Sequence, residues 1–150
     1  MVGRLIGIAR ATEKGAPMEL LGRTAITTAA GVDGDVRGAR SGRQVTVLFR
    51  EGWEAACHDS GAALPWTTRR ANLYVDGLEV PRQAGARLLV GEVELEVIQE
   101  TRPCAQMDAA FHGLRTAMRS DWRGGVACNV VRGGTIEIGD QATVDFQPAG

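Results

Sequence analysis

The chain has 150 residues, 44% of them hydrophobic, which fits a single domain over residues 1–150 with a core of its own. The net charge of −1 excludes a general attraction to nucleic acid, and no apolar run is long enough to cross a bilayer. We therefore expect neither a nucleic-acid partner nor a membrane. The short apolar run at residues 1–9 predicts a first strand and not a secretory leader, so we expect a cytoplasmic protein.

Strands and one helix are predicted in the first half. Apolar stretches predict strands over residues 2–10, 25–28 and 45–49. Residues 31–44 carry four glycines, two aspartates and three arginines, which predicts a long polar loop, either functional or simply a flexible surface excursion. Residues 51–60 have helical spacing and precede a glycine, so they predict a helix.

The second half predicts more strands around one further helix. A strand is expected at 71–75, and residues 93–98 alternate apolar with acidic side chains, as a hairpin strand with one wet face does. Met107, Phe111, Leu114 and Met118 follow a helical stripe with Asp108 as the N-cap, and three short strands fill residues 122–146. These elements predict a β-rich α+β fold with about two helices and a bent or barrel-like, mainly antiparallel sheet.

Cys104 is the candidate catalytic residue. It follows Arg102 and Pro103, between the alternating strand and the helix. Helix N-terminal amides and a guanidinium favour a thiolate, the form that attacks, carries sulfur or binds a soft metal. A buried junction cysteine with no chemistry is an equally consistent interpretation.

The other cysteines and the basic residues argue against several kinds of site and cofactor. Cys57 and Cys128 fall on apolar stripes, and three widely spaced cysteines argue against a disulfide framework or a paired-cysteine zinc site. Lys14 is the only lysine among 17 basic residues and is a poor Schiff-base candidate, so we expect no pyridoxal phosphate. The planar guanidinium group of arginine suits phosphate, although coding bias alone would also produce the excess of arginine over lysine. The segment from Arg123 to Gly125 could hold an anion or be a plain turn.

Four ordered segments resemble the MOSC domain, the family named for the C-terminal domain of molybdenum cofactor sulfurases. They are residues 31–35 leading to 43–45, residues 70–78, residues 91–97 leading to 103–104, and residues 123–126 leading to 133–140. The resemblance runs from about residue 5 to residue 146 and looks like the small, stand-alone bacterial type.

The resemblance implies a barrel-like fold and a role in binding the molybdenum cofactor (molybdopterin). In the family the cysteine of the Pro-Cys pair carries sulfur or ligates molybdenum, which here makes Cys104 both the catalytic and the metal-binding candidate. Residues at the matching motifs become cofactor-binding candidates: Asp35, Arg37, Arg43, Arg70, Asn72, Arg102, Arg123, Gly124 and Gly125. One departure stands out, because Arg37 occupies a position where many relatives have histidine. A permanent cation there favours holding an anion.

Three functions stay open at this point. The first is cofactor and molybdenum-ion binding at Cys104, of which a molybdenum-dependent oxidoreductase that needs an electron donor is a narrower form. The second is a sulfurtransferase-like carrier that takes persulfide sulfur from a cysteine desulfurase and binds no cofactor. The third is a non-catalytic module that delivers cofactor to a molybdoenzyme partner.

Overall fold

Strands dominate the computed structural model, which describes residues 2–146. The strands are β1 (Gly3–Arg10), β2 (Glu19–Leu21), β3 (Arg23–Thr27), β4 (Gly31–Val32), β5 (Val45–Phe49), β6 (Leu73–Asp76), β7 (Arg87–Val90), β8 (Val93–Glu100), β9 (Val126–Arg132), β10 (Gly134–Glu137) and β11 (Gln141–Asp145). The helices are α1 (Arg50–Ser60), α2 (Ala105–Ala110) and α3 (Leu114–Ala117), with a 3-10 helix at Trp66–Arg69.

Seven strands close into a barrel in the order β1, β11, β7, β8, β9, β5, β6. Closure follows because β1 pairs with β6 on one side and with β11 on the other. Only the β5–β6 pairing is parallel among the described strands, and β10, β3 and β4 form a separate antiparallel sheet. The predicted β-rich, barrel-like and mainly antiparallel fold is therefore confirmed.

Alternating side chains separate the inside of the barrel from its outside. In β8, Val93, Leu95 and Val97 are fully buried in the main core, while the residues between them are partly exposed. All five residues of β5 are buried instead. Val45, Val47 and Phe49 join the barrel core, and Leu48 faces a second cluster that the three helices cover. The outer face of β5 is thus the base on which the helices pack.

The helix predicted after Cys104 is broken into two, so the prediction of one continuous helix was wrong. Met107, Leu114 and Met118 are buried as their spacing indicates, but Phe111 is 37% exposed. The chain turns at Gly113, which has a φ of 92°. Asp108 does not begin α2; its carboxylate accepts the Arg115 backbone N–H at 3.0 Å and so caps α3. None of the helices in residues 2–146 is long and apolar enough to span a bilayer.

Candidate functional site

Cys104 lies in the connection between β8 and α2, where it is the residue that precedes the first turn of the helix. Its backbone is extended, with a φ of −118°, and its side chain is exposed. The interpretation of Cys104 as a buried junction residue is therefore wrong. Cys104 meets solvent directly, as a thiol must if it is to exchange sulfur or bind a metal.

The other two cysteines differ from Cys104 in their surroundings. Cys128 lies in β9 and points into the core, and burial raises the pKa of its thiol well above the ordinary value. Cys57 in α1 is partly buried, and burial is again the main reason its pKa is raised. Both thiols are held in the protonated, unreactive form. Cys104 is thus the exposed thiol within residues 2–146.

Arg69 clamps the segment that leads to Cys104. At the end of the 3-10 helix, its Nη2 donates to the Thr101 carbonyl at 2.8 Å and to the Arg102 carbonyl at 3.2 Å. Its Nε donates to the Gly124 carbonyl at 3.3 Å. One guanidinium therefore joins the end of β8 to the start of β9 and fixes the approach to the cysteine.

The Arg69 guanidinium also interacts electrostatically with Cys104 and with two further arginines. Burial is the main cause that lowers the pKa of Arg69, the Cys104 thiolate opposes it, and the charges of Arg37 and Arg43 lower it further. Arg69 was not predicted from the sequence; its one sequence clue is the Arg-Arg pair at positions 69 and 70. We call Cys104, Arg37, Arg43 and Arg69 the thiol–arginine cluster.

Asp35 presents Arg37 to this cluster. One oxygen of its carboxylate accepts the Ala11 N–H at 3.0 Å, and the other accepts the Arg37 N–H at 3.2 Å. Both carboxylate oxygens accept hydrogen bonds from backbone N–H groups, so Asp35 stabilises the conformation of the loop. Within residues 2–146 the guanidinium groups of Arg37 and Arg43 have no hydrogen bond or ion pair, which leaves their donors free for a ligand.

The same loop is tied down near Arg43. Gly42 donates its N–H to the Asn129 side-chain oxygen at 2.6 Å. Gln44 is buried, where its amide nitrogen donates to the Gly38 carbonyl at 3.1 Å and its oxygen accepts the Val130 N–H at 2.9 Å. The long polar loop is therefore an anchored structure and not a loose surface excursion.

Three other candidates have side chains engaged elsewhere. The Arg70 guanidinium donates to the Ala16 carbonyl at 2.6 Å. Asn72 is buried between strands, accepting the Thr46 N–H at 3.1 Å and donating to the Ala9 carbonyl at 3.2 Å. Arg123 reaches α1 and α3 and contacts Asp59 and the Ala117 carbonyl, both through Nη1. The structure does not bring these three into the cluster, and their ligand roles stay predictions.

The remaining candidates lie beside the cluster. Arg102 is exposed and has an ion pair with Glu100 at 3.7 Å. A Cβ at Gly124 would lie 2.1 Å from the Thr101 carbonyl oxygen, so glycine is what lets β9 begin against the segment before Cys104. Gly125 accepts the Thr101 N–H at 2.9 Å through its carbonyl. The two glycines therefore support the site by close backbone packing.

The donor set suits an anion more than a bare metal ion. No group of three or more His, Cys, Asp or Glu side chains that could hold a metal occurs in the described part of the chain. A single thiol beside three guanidinium groups fits an anionic ligand that brings its own further ligands to a soft metal. The cluster is open to solvent at Cys104, which is exposed, and none of its members lines the cavities of about 320, 460 and 340 Å³.

Known proteins resemble this chain in sequence and in fold. A family model described as MOSC domain matches residues 33–143, which include the whole thiol–arginine cluster. No curated protein matches the sequence. The YUAD protein from Bacillus subtilis has the same fold, with a TM-score of 0.82, 20% identity and 98% of each chain covered.

Two further solved structures share the fold. YiiM from Geobacillus stearothermophilus is 15% identical with a TM-score of 0.69, and covers 99% of this chain and 75% of its own. YiiM from Escherichia coli is 17% identical with a TM-score of 0.68, over 98% of this chain and 72% of its own. At these identities the likeness establishes a common fold.

Proposed function

This chain belongs to the MOSC domain family, and from that premise we propose that it binds the molybdenum cofactor on the open face of the thiol–arginine cluster. The observation that carries the proposal is the exposed Cys104 thiol at the end of a segment whose backbone Arg69 holds, with Arg37 and Arg43 acting electrostatically on Arg69. The family is associated with this cofactor, whose pterin carries a phosphate and whose metal is soft enough for a thiolate.

Each member of the cluster has a distinct part in the proposed site. The guanidinium groups of Arg37 and Arg43 have free N–H donors for the phosphate. Two parallel hydrogen bonds from one guanidinium to a phosphate are stronger than neutral hydrogen bonds. Arg69 holds the cysteine segment and adds positive charge that attracts an anionic ligand. When bound, the cofactor would supply molybdenum redox or sulfur chemistry, and Cys104 would present the sulfur ligand. Arg37 adds a charge that does not depend on pH, unlike the histidine of many relatives.

Binding of the isolated cofactor tests this proposal. We expect Cys104→Ser and Arg37→Met each to weaken binding about fivefold, because each removes one charge-assisted contact. The matched control is Arg40→Met, an exposed arginine of the same loop that does not act on Arg69. Anaerobic equilibrium dialysis measures the affinities. Equal affinity of all four proteins would exclude the cluster as the cofactor site.

A second candidate function, a persulfide carrier, is favoured by Cys104 being the exposed thiol while Cys57 is partly buried and Cys128 is buried. The Cys104 thiolate would attack the outer sulfur of a cysteine desulfurase persulfide, forming a Cys104 persulfide and releasing the donor's thiolate. A molybdoenzyme could then receive the sulfur. After incubation with a desulfurase and cysteine, we expect intact-mass analysis to find one added sulfur in the wild type and in Cys57→Ser, but none in Cys104→Ser. Equal sulfur gain by Cys104→Ser would exclude this function.

A further inference from the structure

A separate concave site lies at the other end of the 3-10 helix from Arg69. It is a groove of about 340 Å³ between α1, the 3-10 helix and β6, and its volume suits a small ligand. We call it the aromatic groove, and its principal lining side chains are those of Trp53, Glu54, Cys57, Leu64, Trp66 and Tyr74. It contains no member of the thiol–arginine cluster.

The rings of the aromatic groove are held in fixed positions. Trp66 and Tyr74 stack with ring centroids 5.0 Å apart and planes 5° apart. Gly7 makes room for this stack, because a Cβ there would lie 2.5 Å from the Trp66 Cζ2 atom. Trp53 is buried, and its indole N–H donates to the Leu64 carbonyl at 3.3 Å. A ligand would therefore meet a preformed aromatic surface, chiefly that of Trp66, because Trp53 and Tyr74 are buried.

One acidic side chain, that of Glu54, lines the groove. Glu54 lines it directly and is half-exposed, with one carboxylate oxygen 2.8 Å from the Arg50 Nε. The pKa of Tyr74 is raised to about 12, first by burial and next by the charge of Glu54, with Cys57 and Glu51 adding to the effect and Arg50 opposing it. Glu54 is the one charged side chain among the described residues that line the groove, so its carboxylate is the charged group that a ligand would meet there.

We propose that the aromatic groove binds a small organic cation with a methylated ammonium head. Aromatic faces attract such cations through the ring quadrupole, and the attraction is stronger where water is excluded. Methyl groups would contact Trp66 and Leu64, while the Glu54 carboxylate balances the charge. A neutral molecule of the same shape would gain the apolar contacts alone.

Choline and its neutral isostere 3,3-dimethylbutan-1-ol test the proposal when titrated separately against the full chain. Tryptophan fluorescence reports binding, because two of the three tryptophans line the groove. We expect choline to bind about fivefold more tightly than the neutral isostere. Equal affinity for the two probes, or no fluorescence change with either, would overturn the proposal.

Variants assign the binding to the groove. Glu54→Gln is expected to remove most of the preference for choline and to leave the neutral probe unaffected, whereas the control Glu137→Gln, in the separate sheet, should bind both as wild type does. Trp66→Leu should weaken the binding of both probes. Trp66→Phe should still bind both, which keeps the test valid if the leucine variant does not fold. An unchanged preference in Glu54→Gln would overturn the assignment. Cys104→Ser should bind choline normally, so the outcome is independent of the cofactor proposal.

Discussion

Replacing Gly125 by alanine is expected to lower the free energy of unfolding by about 3 kcal/mol or more. The φ of this residue is 90°, a conformation that costs an alanine about 1–2 kcal/mol. The added Cβ would also lie 2.1 Å from the Val47 carbonyl oxygen and 3.2 Å from the Leu48 Cα atom. Both neighbours are backbone of β5 at the centre of the barrel wall, so they cannot move aside cheaply.

Urea denaturation measures the effect, and Gly85→Ala separates its two causes. Gly85 has a nearly identical φ of 91°, but a Cβ there would meet nothing within 4 Å. Gly85→Ala should therefore lower the free energy of unfolding only by the cost of the backbone conformation, about 1 kcal/mol. If the two variants were equally destabilised, the close approach between Gly125 and β5 would carry no energetic weight.

Replacing Arg69 by methionine should impair both stability and the reactivity of Cys104. The carbonyls of Thr101, Arg102 and Gly124 lose their donor, which we expect to lower the free energy of unfolding by about 2 kcal/mol. Loss of the positive charge should also slow labelling of Cys104 by an anionic aromatic disulfide about tenfold, because the charge attracts the reagent. Peptide mass analysis identifies the labelled cysteine, and urea denaturation gives the stability.

A neutral reagent and a neighbouring arginine serve as controls for Arg69→Met. Iodoacetamide lacks the charge, so its rate should fall less than that of the anionic disulfide. Arg40→Met should leave both rates and the stability close to wild type, since Arg40 is exposed and does not act on Arg69. Equal slowing of both reagents in Arg69→Met would mean that the cysteine segment has moved and that the charge itself has little influence.

The elements that local patterns determine could be predicted from the sequence. The alternation in β8 and the glycine-separated strands at the end of the chain require no knowledge of distant contacts, and the strand-to-helix position of Cys104 follows from them. Closure of the barrel and the parallel β5–β6 pair depend on which strands meet in space. Periodicity does not carry that information.

Arg69 and Arg70 illustrate why part of the site could not be predicted. The two residues are identical neighbours, yet one guanidinium holds the cysteine segment and the other donates to the Ala16 carbonyl. The difference arises because Arg69 ends a 3-10 helix and Arg70 adopts a left-handed conformation with a φ of 60°. Tertiary packing selects that turn. The break at Gly113 has the same origin, since the apolar stripe across it has ordinary helical spacing.

The meeting of β1 and β11 has a consequence for how the protein is made. Gly3 pairs with Ala142, so the seam of the barrel joins residues 139 positions apart. Closing so long a loop is entropically costly before other contacts form, and such long-range pairing slows folding. On the ribosome, the edges of β1 and β7 must wait for β11 to emerge, with their backbone amides and carbonyls unpaired. The nascent chain is therefore most prone to aggregate just before β11 emerges, when a chaperone would protect it best.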